Sequence, residues 1–131
     1  VKTVICIFAL AGGAFGAWTY EGQWGSEGYG YGRFDYIWDI TVSPRSGNVY
    51  VADTENDHVQ YFTATGSFLG QWGNYGSGNG DFDYPSGVAI SPLTGNVYVS
   101  EYLNHRVQYF TATGKYLGQW GTWGTGNGEF K

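Results

Sequence analysis

The chain repeats itself every 48 residues without an insertion or deletion. Trp24, Trp72 and Trp120 are spaced by 48 positions (72 − 24 and 120 − 72), and Phe34, Phe82 and Phe130 follow the same spacing. The tetrapeptide "GQWG" therefore occurs three times, at 22–25, 70–73 and 118–121. "GNVYV" (47–51 and 95–99) and "VQYFTATG" (59–66 and 107–114) occur only twice. A fixed period of this size means that each copy is one supersecondary unit, which buries its apolar surface only by stacking on a neighbour. One period further upstream the pattern fails, because "AGGAFGAW" stands where "VQYFTATG" would fall.

Each period reads as four short strands. In the second copy "GVAIS", "NVYVSE", "RVQYFT" and "KYLGQW" are β-branched or aromatic runs of strand length. "PLTG", "YLNH" and "TATG" separate them with turn-forming residues. The first copy offers "DITVS", "NVYVAD", "HVQYFT" and "FLGQW" in the same places. Alternation leaves neither face polar: the valines of "NVYVS" point one way and Tyr98 the other. Such an antiparallel meander needs a neighbour on both sides, as a blade of a β-propeller has. No helical apolar period of useful length appears beyond the N-terminal segment, so the expected class is all-β with few helices.

The stretches "GNVYVADTENDHVQYFTATGSFLGQWG" and "PSGVAISPLTGNVYVSEYLNHRVQYFTATGKYLGQWG" resemble NHL repeats. The second copy keeps Pro85, Gly87, Val88, Ala89 and Asn104-His105-Arg106 of that pattern, whereas the first has Ile37-Trp38-Asp39 and Asp57-His58 instead. The resemblance implies a propeller, usually of six blades, that mostly binds partners. Six blades at this period would need about 300 residues, against the 131 here. The expected organisation is a signal peptide or N-terminal anchor over 1–17, then an extra outer strand and Gly-rich linker over 18–36. Blade 1 with its linker follows over 37–84, and blade 2 with the C-terminal linker over 85–131. Two blades leave two sheet faces uncovered, which fits a fragment of a longer array, a ring closed by three chains, or a fibre.

Composition limits the function. The net charge of −5 comes from 11 acidic and 6 basic residues, so nothing attracts a phosphate backbone and nucleic acid is not expected as a partner. "VKTVICIFALAGGAFGA" orders a lysine, an apolar run and small residues as an export signal does, which places the chain outside the cell or at its surface. The alternatives are a retained anchor, the one case in which a membrane would be involved, or an ordinary first strand. Cleavage of the signal would remove Cys6, the single cysteine.

No catalytic, metal or cofactor-binding residue is expected. The lyases of this fold family use several histidines around a metal. This chain has only His58 and His105, out of register with one another and expected at turns or on the surface. Asp81 and Asp83 could offer oxygens to calcium, but Arg33 with Asp35 and Glu129 with Lys131 take their places in the other copies, so a solvated loop is expected. Asp53 and Glu101 match one another, and with Arg106 they form a candidate structural polar ring in which the acid meets backbone or the arginine position of a neighbouring blade. The candidate binding or assembly surface consists of Trp24, Tyr29, Tyr31, Trp38, Tyr75, Tyr102 and Trp123, whose rings suit a protein partner, identical chains or carbohydrate. The functional expectation is a non-catalytic, exported binding module, with a self-assembling structural subunit or, third, a lyase-type enzyme as alternatives.

Overall fold

The computed structural model of the chain describes residues 5–10 and 18–131, with side chains from Tyr20 onward. Residues 1–4 and 11–17 of the expected signal or anchor segment lie outside the described residues. Twelve strands and no helix make up the described chain. Strands β1 (Ile5–Leu10) and β2 (Trp18–Trp24) form an antiparallel pair, from Ile5 opposite Trp24 to Leu10 opposite Trp18. The outer strand carrying the first "GQWG" was expected without inner strands of its own, yet it has a paired neighbour. The ladder satisfies backbone groups along one of its edges.

Two short strands, β3 (Ser26–Glu27) and β4 (Arg33–Phe34), pair in parallel across the first Gly-rich connector. Blade 1 follows as the antiparallel meander β5 (Ile37–Val42), β6 (Val49–Asp53), β7 (His58–Phe62) and β8 (Phe68–Trp72). Blade 2 repeats it as β9 (Pro85–Ile90), β10 (Val97–Glu101), β11 (Arg106–Phe110) and β12 (Tyr116–Trp120). The ring is open.

The turns recur because their residues do. Gly47 N–H donates to Ser43 O at 2.9 Å and Gly95 N–H to Ser91 O at 2.8 Å. Gly66 and Gly114 each donate to a threonine carbonyl at 3.0 Å, and a bulge follows Tyr61 and Tyr109 alike. The connectors are fixed in the same repeated way. Gln60 accepts from Gly32 N–H at 2.9 Å and donates to Arg33 O at 2.7 Å, and Gln108 makes the same two bonds to Gly80 and Asp81 at the same lengths. Asn56 and Asn104 donate to Gly28 O and Gly76 O. Two buried glutamines thus replace the hydrogen bonds that a glycine-rich loop cannot make with itself.

The main core lies between the blades. Tyr50, Ala52 and Val59 of blade 1 face Phe82, Val88, Val97, Val99 and Phe110 of the second unit. A smaller cluster of Phe34, Val49, Val51 and Phe62 on the other face of blade 1 is closed by Trp24. Phe82, at the end of its connector, is wholly buried, whereas its counterpart Phe130 is 38% exposed. Phe82→Ala is therefore expected to lower unfolding free energy by about 3–5 kcal/mol in urea titration. Phe130→Ala should cost clearly less than Phe82→Ala, and equal costs would contradict an inter-blade core.

Candidate functional site

The junction between blades is built around a ring laid over a glycine. Trp72, at the end of β8, touches Tyr50 and Tyr61 of its own sheet and packs across on Phe110, with ring centroids 5.5 Å apart. Its floor is Gly114, whose φ of +91° suits glycine and where a Cβ would come within 2.6 Å of the indole. Trp24 sits over a glycine in the same way one unit earlier. It lies 4.5 Å from Phe62 by ring centroid, and a Cβ on Gly66 would overlap its ring. Among the described residues neither indole N–H has a hydrogen-bond partner, and packing holds both rings. Trp120 keeps the equivalent contacts within its own sheet, to Tyr98 and Tyr109, and is 46% exposed.

Polar contacts fasten the same junction. Asp39 Oδ2 accepts from Val88 N–H at 2.8 Å, and Asp57 Oδ1 accepts from Tyr84 N–H at 3.0 Å. Thr54 donates to Pro85 O at 2.8 Å, Tyr50 to Ala112 O at 2.8 Å, and Arg45 to Leu93 O at 3.1 Å. Tyr84 donates to Glu55 at 2.9 Å. Forty-eight positions on, Asp39, Arg45, Thr54, Glu55 and Asp57 become Gly87, Leu93, Tyr102, Leu103 and His105. The outgoing face of blade 2 thus keeps the apolar pattern of blade 1 and loses the charged groups that fasten a blade of this kind. Tyr50 is 2% exposed and Val59 fully buried, whereas Tyr98 and Val107 in their places are only partly covered.

That open face carries two concavities. One of about 240 Å³ is lined by Tyr102, His105, Val107 and Phe130 among others. Another of about 260 Å³ lies over Gly87, Tyr98, Ser100 and Val107. At the other end of the stack Ile40 is 43% exposed although its counterpart Val88 is 5% exposed, and Trp38 and Val42 are exposed beside it. Trp38 and Tyr102 of the expected surface therefore sit on strands and turns bordering the two open faces. Trp24 is packed rather than free.

The remaining aromatics belong to the connectors. Tyr31 stacks on Phe68 at 4.4 Å, Tyr29 lies 5.9 Å from the His58 ring, and Tyr75 and Trp123 are exposed at equivalent bridges to Phe82 and Phe130. Asp81 lies in the second connector, where its backbone carbonyl accepts from Arg106 and Gln108. Among the described residues no group of three or more His, Cys, Asp or Glu is arranged to hold a metal ion.

Asp53, Glu101 and Arg106 are buried; each acid accepts a backbone N–H from the connector before its blade, Asp35 to Asp53 Oδ1 at 2.8 Å and Asp83 to Glu101 Oε1 at 3.3 Å, and meets a basic side chain of its own blade. Arg106 Nε donates to Glu101 Oε2 at 2.6 Å across β10 and β11. Its remaining nitrogens donate to Ser77 O, Gly78 O and Asp81 O of the connector and to Gln119 Oε1. His58 occupies the same register in blade 1. It is 1% exposed, with Nε2 at 2.8 Å from Asp53 Oδ2, so the expectation of a turn or surface histidine is corrected. The reason is its register on β7: position 58 is the place of the buried cation. Imidazole is shorter than guanidinium, and Gln71 Oε1, the counterpart of the Gln119 acceptor, is left buried without a partner. The junction residues Asp39, Arg45, Thr54 and Asp57 were missed by sequence reasoning. Their signal was present as the places where two otherwise matching copies differ.

Against this geometry, the NHL repeat family model matches residues 34–62 and 82–110, two repeats. A solved structure of a Bacteroides fragilis protein, provisionally named as exported, superposes with a TM-score of 0.59 at 16% identity. The match covers 88% of this chain and 28% of that one, so this chain spans about a quarter of the other's length. The likeness is one of fold: all-β sheets stacked as propeller blades. No curated protein matches the sequence.

Arg106→Ala strands a buried carboxylate and is expected to cost about 3–5 kcal/mol in chemical denaturation. His58→Arg gives Gln71 Oε1 a donor and should raise stability by about 1 kcal/mol. The carboxyl of Asp57 is raised above the ordinary Asp value by burial and by the nearby Asp83 and Glu55, against the lowering effect of its bond from Tyr84 N–H. A raised acid contributes favourably below its ordinary value, and that contribution is lost as pH rises through the raised one. Asp57→Asn, which keeps an acceptor and suits the φ of +52°, should therefore raise the melting temperature at pH 7. Below about pH 4 the difference should shrink.

Proposed function

We propose that the chain is a non-catalytic association module whose working surface is the outgoing face of β9–β12. The observation that carries this reading is the contrast between matching faces: Tyr50 and Val59 are buried by a following blade, and Tyr98, Val107 and Trp120 are not. Stacked blades bury a sheet face fully, so a face with this pattern gains by receiving another sheet. Its occupant is a β-sheet with a blade-like apolar face, and export to the cell surface or beyond is the setting that the N-terminal sequence suits.

A second reading, a self-assembling subunit, is favoured by the three copies of "GQWG" and by Phe62 and Gly66 repeating Phe110 and Gly114. One chain then offers the ring and another the slot. Sedimentation velocity from micromolar to millimolar concentration tests association directly. The mean mass is expected to rise above 14.4 kDa for the native sequence. It should stay at 14.4 kDa for Trp120→Arg, which puts a charge at the outer-strand ring of the face. A native chain that remains at monomer mass throughout, or an association indifferent to Trp120→Arg, would overturn the surface.

A further inference from the structure

Blade 1 already holds a tryptophan in the slot that a neighbouring chain would need. The slot is formed by Phe34, Phe62 and Gly66, and Trp24 fills it, with ring centroids 6.3 Å from Phe34 and 4.5 Å from Phe62. The internal junction shows what such a slot receives: Trp72, from an identical "GQWG", sits on Gly114 and Phe110. Trp120 is the third copy of that group and is the uncovered one. A second chain stacking its blade 2 on blade 1 would bring Trp120 onto Gly66, where Trp24 lies. Two indoles do not fit one slot.

We propose that β2 is a plug in cis, which mimics the β12 of a second copy and competes with it for the Phe34–Phe62–Gly66 slot, so that blade-on-blade assembly requires Trp24 to leave. This rests on the self-association reading above. Three observations support the plug as the weaker of the two seatings. A cavity of about 180 Å³ remains between β2 and the 63–66 turn, lined by Glu21, Gly22, Gln23, Trp24, Ala64 and Thr65. At the internal junction the matching turn is tied down instead, by Tyr50 donating to Ala112 O at 2.8 Å. The plug also covers only the outer half of the face: Ile40 and Val42 stay exposed, although Ile90, the counterpart of Val42, packs into the core between the blades. A full incoming blade covers both halves, and the half-blade of β1 and β2 does not.

The face that would arrive is compatible with the one it meets. By register, Gly87 of the second copy comes opposite Ile40, where the internal junction has Asp39 opposite Val88. Tyr102 comes opposite Ile37 and Leu103 opposite Tyr36, in place of Thr54 on Pro85 and Glu55 on Tyr84. These three polar contacts become apolar or small-to-large pairs, while Tyr98 and Ala64 repeat Tyr50 and Ala112.

Sedimentation over the same concentration range tests the plug in the full chain. Trp24→Ala is expected to move association to at least tenfold lower concentration. Adding Trp120→Arg, or Gly66→Ala to block the slot, should return the Trp24→Ala chain to monomer mass. Trp24→Phe, which keeps a smaller ring, should fall between, and it serves as the variant if Trp24→Ala does not fold. A peptide of residues 115–123, KYLGQWGTW, is expected to bind the Trp24→Ala or Trp24→Phe chain in fluorescence anisotropy at least tenfold more tightly than the native one. Association that Trp120→Arg abolishes but neither Trp24 variant shifts would overturn the plug and leave the association surface standing. Absence of association in every variant would overturn both.

Discussion

A tryptophan laid over a glycine of the next sheet joins each blade to its successor, and the rest of the fold is arranged to make that contact possible. The ring needs a floor without a side chain, supplied by Gly66 and Gly114 at positive φ, and an aromatic wall, supplied by Phe62 and Phe110. It needs a strand that ends where the sheet ends, which the meander of four short strands provides. With no hydrogen bond to either indole nitrogen among the described residues, the contact is one of shape and dispersion. Such a contact recurs wherever the chain repeats the same profile, at Gly66 as at Gly114.

Around this apolar contact the two blades handle buried charge differently. Glu101 and Arg106 form a satisfied pair whose guanidinium also holds the connector. Asp53 and His58 place a shorter, ionisable ring in the same position and leave Gln71 Oε1 unpaired. The Gln60 and Gln108 bonds to the connectors are unchanged, so the loop keeps its path in both. The arginine adds further anchoring to a loop already fixed by amide side chains. The difference between the blades therefore lies in side-chain anchoring and not in the path of the connector.

Much of this was legible in the sequence. The period, the four strands of each copy and the apolar nature of both faces follow from residue types at fixed spacing, because strand alternation and turn chemistry are local, and the motifs that resemble NHL repeats lie within those copies. The matching of Asp53 with Glu101 was legible for the same reason. The burial of His58 was not, because it rests on the ion pair with Asp53 on the adjacent strand, a through-space contact that the residue type alone does not announce. The junction contacts of Asp39, Arg45, Thr54 and Asp57 were not legible either, since each reaches a backbone atom in the adjoining sheet.

The sequence by itself determined that this chain builds antiparallel blades that require neighbours. A 48-residue period with apolar residues on both strand faces admits no stable isolated sheet. Which surfaces are covered was decided only in three dimensions. Trp24, Trp72 and Trp120 sit in identical tetrapeptides, yet one closes the entry face of blade 1, one is enclosed between blades and one is open to solvent. Their local sequences are the same, so the distinction lies in what sheet stands opposite, a through-space relation between residues tens of positions apart.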